Sequence, residues 1–368
     1  MLKAYKYRIY PNNEQEILIN KTLGCARFVY NHILSYKIDS YKNEGKSLSK
    51  IDCNNYCNRV LKNDHPFLRE VDKFALTNSI YNMGSSFQRF FKEGAGFPKF
   101  KNKHSKKQSY TTNYTNGNIK VFFDINKIQI PKVGKIRVKI HRLFSGIIKS
   151  ATISKTSTRK YYISILVDEK IEELTRNNKK IGIDLGIKDL VITSEGIKYS
   201  NPKTLIKWEN KIAKLQRRLS RKKKGSKRYI EVKNKIARCH EKVSNIRKDN
   251  LHKISSKIVR ENQIIVTEDL QIKNMMKNSK LSKAIGDASW YEFTRCLEYK
   301  SKYYGRTYIK IDKFYASSQL CHICGYKNEE VKNLSIRNWQ CPICNSFHDR
   351  DDNATLNILK EGLKLLTL

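Results

Sequence analysis

Two short cysteine knuckles near the C-terminus constrain this chain more than any other feature. They read Cys321-His322-Ile323-Cys324 and Cys341-Pro342-Ile343-Cys344, with sixteen residues between them. Each C-x-x-C turn can present two thiolates from one bend, and two such turns complete a tetrahedron at zinc-site spacing. With Cys321, Cys324, Cys341 and Cys344 all acting as ligands, no coordination position stays open. The metal expected here is therefore a structural Zn2+ and not a catalytic one. Disulfides are the competing reading. They suit an oxidising compartment, whereas the N-terminal run MLKAYKYRIYP lacks the apolar core of a secretory signal. A reducing cytoplasm is the expected location. Directly after the second knuckle comes His348-Asp349-Arg350-Asp351-Asp352-Asn353-Ala354. A closed metal clip beside a run of acids suggests that the clip positions a carboxylate.

Charge narrows the partner. Against 34 Asp and Glu stand 74 Lys and Arg, a formal net charge of +40 over 368 residues. Attraction and counterion release then favour a polyanion, and nucleic acid before a membrane, since no apolar run reaches the length of a membrane span. A ribosomal-type basic protein would share the charge but not the length or the acidic motifs. The length implies two or three domains.

Residues 1–10 alternate, with Tyr5, Tyr7 and Ile9 on one side and Lys6 and Arg8 on the other, which predicts a strand that Pro11 ends. Helical patterns follow over about 13–61 and 70–91, the latter holding Phe74, Leu76, Ile80, Met83 and Phe87 as core. Gly94-Ala95-Gly96 breaks the helix before the basic run Lys99 to Lys107, where Lys99 and Lys101 flank Phe100 and are candidates to track a phosphate backbone. Residues 108–170 hold short β-like runs and predict an antiparallel sheet or small barrel. If the first strand joins it, the helices between are an insertion.

After a linker at 171–180, the runs GIDLGI, LVITSEG and IKYS predict three short strands, the first carrying Asp184, like the opening meander of a ribonuclease H-type fold. Two apolar seams, Leu205 to Leu219 and Tyr229 to Ile246, step at heptad spacing and predict a helical hairpin over 203–260. Its tip, residues 217–228, has eight basic residues of twelve, among them Arg217, Arg221, Lys222, Lys223 and Lys224. Such density repels itself and favours phosphate contact. Residues 263–270 predict a buried strand ending in Glu268, residues 274–290 a loop, and 290–303 a helix. A last helix runs from about Asn353, with Asp351 or Asp352 as its cap. Asp184, Glu268 and Asp351 lie in three separate segments. A fold that gathers them would provide hard oxygen ligands for two Mg2+ or Mn2+ ions, as phosphodiester hydrolysis requires. Spacing alone does not choose among the neighbouring acids Asp269, Asp349 and Asp352.

These residues carry a resemblance. GIDLGIKDL (182–190), TEDL (267–270), the two knuckles and HDRDDNAT (348–355) resemble the TnpB, or OrfB-type, family of insertion sequences, as do LGCARFVYNHIL, EVDKFALTNS and GFPKFKNK. The resemblance implies an α/β multidomain protein. A wedge β-barrel (1–10 and 95–172) is interrupted by a helical recognition domain (11–94). A RuvC-like, ribonuclease H-like nuclease domain (178–316 and 347–368) carries a zinc ribbon (317–346). It implies a triad at Asp184, Glu268 and Asp351, a guide RNA from the transposon end, double-stranded DNA as target, and one protein monomer per guide RNA. It places reading of a short flanking motif near Lys73, Thr77, Thr115 and Asn116. The function implied is RNA-guided DNA cleavage. The alternatives are an unguided transposase with the same acids and a non-enzymatic guided repressor.

Overall fold

Period two in residues 2–10 fixes the first sheet. In the computed structural model, which describes residues 1–105, 107–333 and 335–367, strand β1 (Leu2–Tyr10) buries Tyr5, Tyr7 and Ile9. Lys106 of the basic run, Leu334 of the expected ribbon and Leu368 lie outside the described residues. β1 takes the middle of a seven-stranded antiparallel sheet with β2 (Lys107–Asn113), β3 (Lys120–Phe122), β4 (Lys127–Ile130), β5 (Gly134–Lys139), β6 (Ile147–Thr156) and β7 (Tyr161–Asp168). The order is β2-β6-β7-β1-β5-β4-β3. Inward side chains such as Tyr7, Ile128, Ile136, Ile153 and Ile163 form one core. Of the two forms expected, an antiparallel sheet or a small barrel, the hydrogen-bonded ladder among the described residues is a sheet with β2 and β3 as its edges. β3 has only three residues and offers few backbone groups for closure.

Between β1 and β2 the chain inserts helices α1 (Asn13–Glu44), α2 (Lys50–Tyr56), a single turn α3 (Lys62–Asp64) and α4 (Lys73–Glu93). Asn12 and Gln15 form a capping box at the start of α1, and Gly45, at φ 66°, ends it in the left-handed region. Val29, Ile33, Leu61, Leu76, Ile80 and Met83 make a second core. These elements belong to one compact unit, Met1–Lys170.

The second unit, Ile171–Leu368, is built on a five-stranded sheet. Strands β8 (Lys180–Asp184), β9 (Asp189–Thr193) and β10 (Lys198–Ser200) form an antiparallel meander. β11 (Ile264–Glu268) and β12 (Thr307–Ile311) then add in parallel, giving the order β10-β9-β8-β11-β12. The connections are α5 (Thr204–Ser220), α6 (Lys227–Glu261), α7 (Ile272–Met275), α8 (Ser279–Ala288) and α9 (Trp290–Tyr303). α5 and α6 form the hairpin, with Ile212, Val232, Cys239 and Val243 buried along it. The short strands β13 (Asn338–Gln340) and β14 (Phe347–Asp349) pair beside the knuckles, and α10 (Arg350–Thr367) closes the chain. Among the described residues, no helix is long and apolar enough to cross a membrane.

Residues 274–290 correct an expectation. The stretch read as a loop forms the end of α7 and all of α8. Asn278 caps α8 by accepting from Lys280 N–H at 3.0 Å, and Ile285 and Ala288 are buried. Lysines and serines between those anchors masked the helical period.

The sheet of the second unit is covered on two faces. Ile181, Ile183 and Ile265 point toward the core shared with α6 and α9. The alternate positions face α10, where Val266, Ile311 and Ile358 pack together. Glycine permits a very close approach here. A Cβ at Gly182 would lie 2.2 Å from the Thr355 carbonyl oxygen, and one at Gly362 would lie 2.3 Å from Val266 Cγ1. Neither is tolerable without a shift of helix or sheet. We therefore expect Gly182→Ala to destabilise the protein by about 1–3 kcal/mol. Gly24→Ala, inside α1 with no atom within 4 Å of the added carbon, should instead stabilise by roughly 0.5–1 kcal/mol. Thermal melting of the two variants checks the opposite signs.

Candidate active site and thiolate centre

Strand register brings two distant acids together. Thr267 of β11 lies opposite Ile183 of β8, so Glu268 and Asp184 occupy the next rung at the C-terminal ends of neighbouring parallel strands. Adjacent strands are about 4.8 Å apart, and period two turns both side chains to the face that α10 covers. Asp351 lies in the first turn of α10. The stripe Asp351, Thr355, Leu359 and Gly362 runs down the helix at turn spacing, with Thr355 and Leu359 against Gly182 and Gly362 against Val266. Docking of α10 thus delivers Asp351 to the strand ends.

The three carboxylates share an electrostatic environment. Asp184 is pushed up to about 7 by burial and by the charges of Glu268 and Asp351, against the pull of the Leu185 N–H, which it accepts at 2.8 Å, and of Arg350. Burial also raises Glu268, opposed by the hydroxyl of Ser317, which donates to it. Asp351 faces Arg337, whose Nη1 is 3.4 Å from both carboxylate oxygens. Asp184 thus has a raised affinity for a proton, or for a cation in its place. An all-oxygen donor set fits Mg2+ or Mn2+ better than softer metals.

Two of the neighbouring acids, Asp349 and Asp352, have other partners. Asp349 caps α10, accepting from the N–H groups of Asp351 at 2.9 Å and Asp352 at 3.1 Å. This corrects the expectation that Asp351 or Asp352 caps the helix. The helix begins at Arg350, earlier than Asn353, so the cap falls earlier too. Lys198 pairs with Asp349 at 3.3 Å and with Asp352 at 3.2 Å. The Asp269 N–H donates to the Ile311 carbonyl.

The four expected thiolates do converge. Cys321, Cys324, Cys341 and Cys344 place their Sγ atoms within 4.8 Å of one another, the one such group of metal-ligating atoms among the described residues. Cys321 and Cys344 are 3.6 Å apart, and Cys324 and Cys341 3.5 Å. A disulfide needs about 2.05 Å, whereas a tetrahedron with Zn–S bonds of about 2.3 Å has edges near these separations. The cluster therefore fits a structural Zn2+. His348 Nε2 lies 3.1 Å from Cys321 Sγ and 2.7 Å from Ser346 Oγ, polar contacts beside the thiolates that spacing alone did not reveal. The other five cysteines are buried free thiols.

The nucleic-acid candidates divide by unit. In the first, Lys73 opens α4 behind its cap Asp72, and Thr77 follows one turn later. Thr115 and Asn116 form the turn after β2, with Asn116 at φ 49°. α4 and β2 are tied by Asn78, which donates to the Thr111 carbonyl at 2.8 Å and to Asn113 Oδ1 at 3.1 Å. The two expected segments therefore lie close together. Asn54, which sequence reasoning missed, accepts from the Thr77 hydroxyl at 3.3 Å. Lys99 is exposed. Lys101 is clasped through its backbone by Asn31, and its ammonium lies 3.9 Å from the Tyr30 ring centroid. In the second unit, Arg217 sits in the last turn of α5 and Arg221, Lys222, Lys223 and Lys224 in the hairpin tip, none in an ion pair among the described residues.

Comparison with known proteins identifies the family. Residues 162–279 match a family profile described as "Probable transposase" (OrfB_IS605), and residues 290–358 match a "Cas12f1-like, TNB domain". Residues 1–46 match a profile described as "Helix-turn-helix domain", although here they form one strand and one long helix. A "Putative RNA-guided DNA endonuclease" of Streptomyces pristinaespiralis is 34% identical, covering 98% of this chain and 89% of that one. The "Putative RNA-guided DNA endonuclease InsQ" of Escherichia coli K12 is 30% identical, covering 99% and 93%. Among solved structures, the "mini-RNA-guided endonuclease CRISPR-Cas_phi3" shares the fold with a TM-score of 0.52 at 10% identity, covering 99% of this chain and 92% of that one. The fold is a mixed α/β, multidomain one. The chain belongs to the TnpB, or OrfB, family of transposon-associated proteins.

Two outcomes follow from the site geometry. Cys321→Ser should strip the bound zinc and lower the melting temperature; unchanged metal content would refute the four-thiolate centre. Asp184 titrates well above its ordinary value of 3.8. The folded, metal-free protein therefore keeps a proton that the unfolded chain releases above about pH 4. That contribution is fully present below the unfolded value and is lost as pH rises through about 7. In metal-free melts, Asp184→Asn should gain on the wild type steadily across this window. A gap that does not change with pH would contradict the shift.

Proposed function

We propose that this chain is an RNA-guided, divalent-metal-dependent DNA endonuclease encoded by a transposable element. The second unit is read as a ribonuclease H-like, RuvC-type nuclease domain with a zinc-ribbon insert. Its strand order supports this: a three-stranded antiparallel meander extended by two parallel strands. The observation that carries the proposal is the gathering of Asp184, Glu268 and Asp351 at one end of that sheet, with Asp184 pushed up to about 7 by burial and by the charges of the other two.

Asp184, Glu268 and Asp351 would hold two Mg2+ or Mn2+ ions. When bound, the ions supply charge stabilisation to the attacking and leaving oxygens of an in-line phosphodiester hydrolysis. The chain contributes the rest. The strand ends fix two carboxylates, α10 brings the third, and the Leu185 N–H and the Ser317 hydroxyl orient Asp184 and Glu268. The guide RNA, derived from the transposon end, would read the target by base pairing. The segments around Lys73, Thr77, Thr115 and Asn116 would read a short flanking motif. The first unit is read as the wedge domain with its inserted recognition domain. The exposed tip Arg217 to Lys224 would contact phosphates.

The description of the matched family favours one competitor, an unguided transposase acting through the same acids. Sequencing of RNA that copurifies with the protein, followed by cleavage assays with and without it, separates the two. A guided enzyme yields one dominant RNA and cuts only its matching target. Asp184→Ala should then reduce cutting to background while RNA retention stays at the wild-type level. Wild-type cutting by Asp184→Ala would refute the acid assignment, and guide-independent cutting of element ends would establish the competitor.

A further inference from the structure

A second layer of side chains joins the three acids to the thiolate centre. A strap, residues 312–322, runs from the end of β12 into the first knuckle. Within it Ser317 is buried, and its hydroxyl donates to Glu268. The Ser317 carbonyl accepts from Asn357 Nδ2 at 2.8 Å. The same amide donates to the Leu320 carbonyl at 2.6 Å, which also accepts from Asn353 Nδ2 at 2.7 Å. Asn353 Oδ1 accepts the N–H of His322, inside the knuckle, at 3.0 Å, and lies 3.0 Å from His322 Nδ1.

Asn353 and Asn357 are both buried and stand one turn apart on α10. Burial of a primary amide is costly unless its polar atoms are paired. Here both amides are paired with the strap. α10 therefore carries two stripes with different duties. Asp351, Thr355, Leu359 and Gly362 face the sheet, while Asn353 and Asn357 grip the strap. One rigid helix thus relates Asp351 to the segment that holds Ser317 against Glu268. Ser317 itself ligates nothing in this arrangement. Its hydroxyl occupies one carboxylate oxygen of Glu268 and so fixes the direction of the other, as outer-layer partners do for metal-binding carboxylates.

On the reading of Asp184, Glu268 and Asp351 as the cation-holding acids, we propose that Ser317 is a positioning residue for Glu268. Asn353 and Asn357 lock the strap bearing it to the helix bearing Asp351. The first thiolate knuckle then serves as the anchor that keeps the strap taut, and the separation of Glu268 from Asp351 is set through it.

The test is Mn2+ binding by the full-length, zinc-loaded protein free of nucleic acid, followed by electron paramagnetic resonance, alongside zinc content and melting temperature. Ser317→Ala should keep its zinc and bind Mn2+ about 10–100-fold more weakly. Ser317→Thr, which keeps the hydroxyl, should bind as the wild type does, whereas Ser317→Val, of the same shape without the hydroxyl, should be weakened like the alanine variant. With guide and target added, the Mn2+ concentration for half-maximal cutting should rise by the same factor in Ser317→Val while target affinity is unchanged. Equal Mn2+ binding by the Thr and Val variants overturns the proposal. Asp184→Ala in the same assay isolates the underlying reading. If it binds Mn2+ as the wild type does, the acids are not the metal site and both ideas fall. If it loses Mn2+ while Ser317→Val does not, only the positioning role is refuted.

Discussion

The seating of α10 on the sheet is the contact on which the rest of the second unit depends. Two residues without side chains, Gly182 on β8 and Gly362 on α10, let helix and sheet approach more closely than any Cβ would permit. The close approach also has a consequence for the acids. It brings the N-terminal turn of α10 to the C-terminal strand ends, where open α/β sheets place their ligands. A helix standing off by the width of a methyl group would leave Asp351 short of Asp184 and Glu268. The same docking that supplies Asp184 with its neighbours also leaves it only partly exposed.

That burial sets up a local contradiction inside a strongly basic chain. The net charge of +40 acts over the whole surface and draws in polyanions. At the strand ends the sign reverses. Asp184 is pushed up to about 7 by burial and by the charges of Glu268 and Asp351, with Arg350 opposing the shift and Arg337 facing Asp351. A cluster of acids in low dielectric is unstable alone and is stabilised by divalent cations. On the proposed reading, the basic exterior would gather the phosphate backbone, and the acidic centre would need metal before it could tolerate that backbone.

What the sequence disclosed depended on whether the cause was local. The knuckles were legible because four thiolates at fixed spacing have few uses, and β1, the hairpin and α9 because their periods are clean. The three acids were each weak when taken alone, and family motifs chose Asp351 over Asp349 and Asp352; in the structure each of these acids has its own partner, Arg337 for Asp351. Asp349 is engaged by two N–H groups at the helix start, and Asp352 is paired with Lys198. Features created by tertiary contact stayed hidden. α8 looked like a loop because lysines interrupt its apolar positions. Ser317, Asn353 and Asn357 are ordinary polar residues until the fold buries them against one another. The open edge between β2 and β3 depends on the length of β3, which alternation alone does not fix.

The thiolate centre is best understood from the loop it closes. Residues 312–349 separate β12 from α10, a connection far longer than most helix–strand links. Left free, such a segment would hold the start of α10 only through its packing on the sheet, and the entropy of the loose chain would favour fraying of the very turn that bears Asp351. Four thiolates pinned to one ion would convert the segment into a small rigid body, and two buried asparagines attach that body to α10 on a face the sheet does not use. The helix is then held from two directions. Packing against Gly182 and Val266 sets its height above the strands, and the strap from Ser317 to His322 restrains its slide and rotation. On the proposed reading, a structural metal centre with no open position would thereby act on the three carboxylates without touching them.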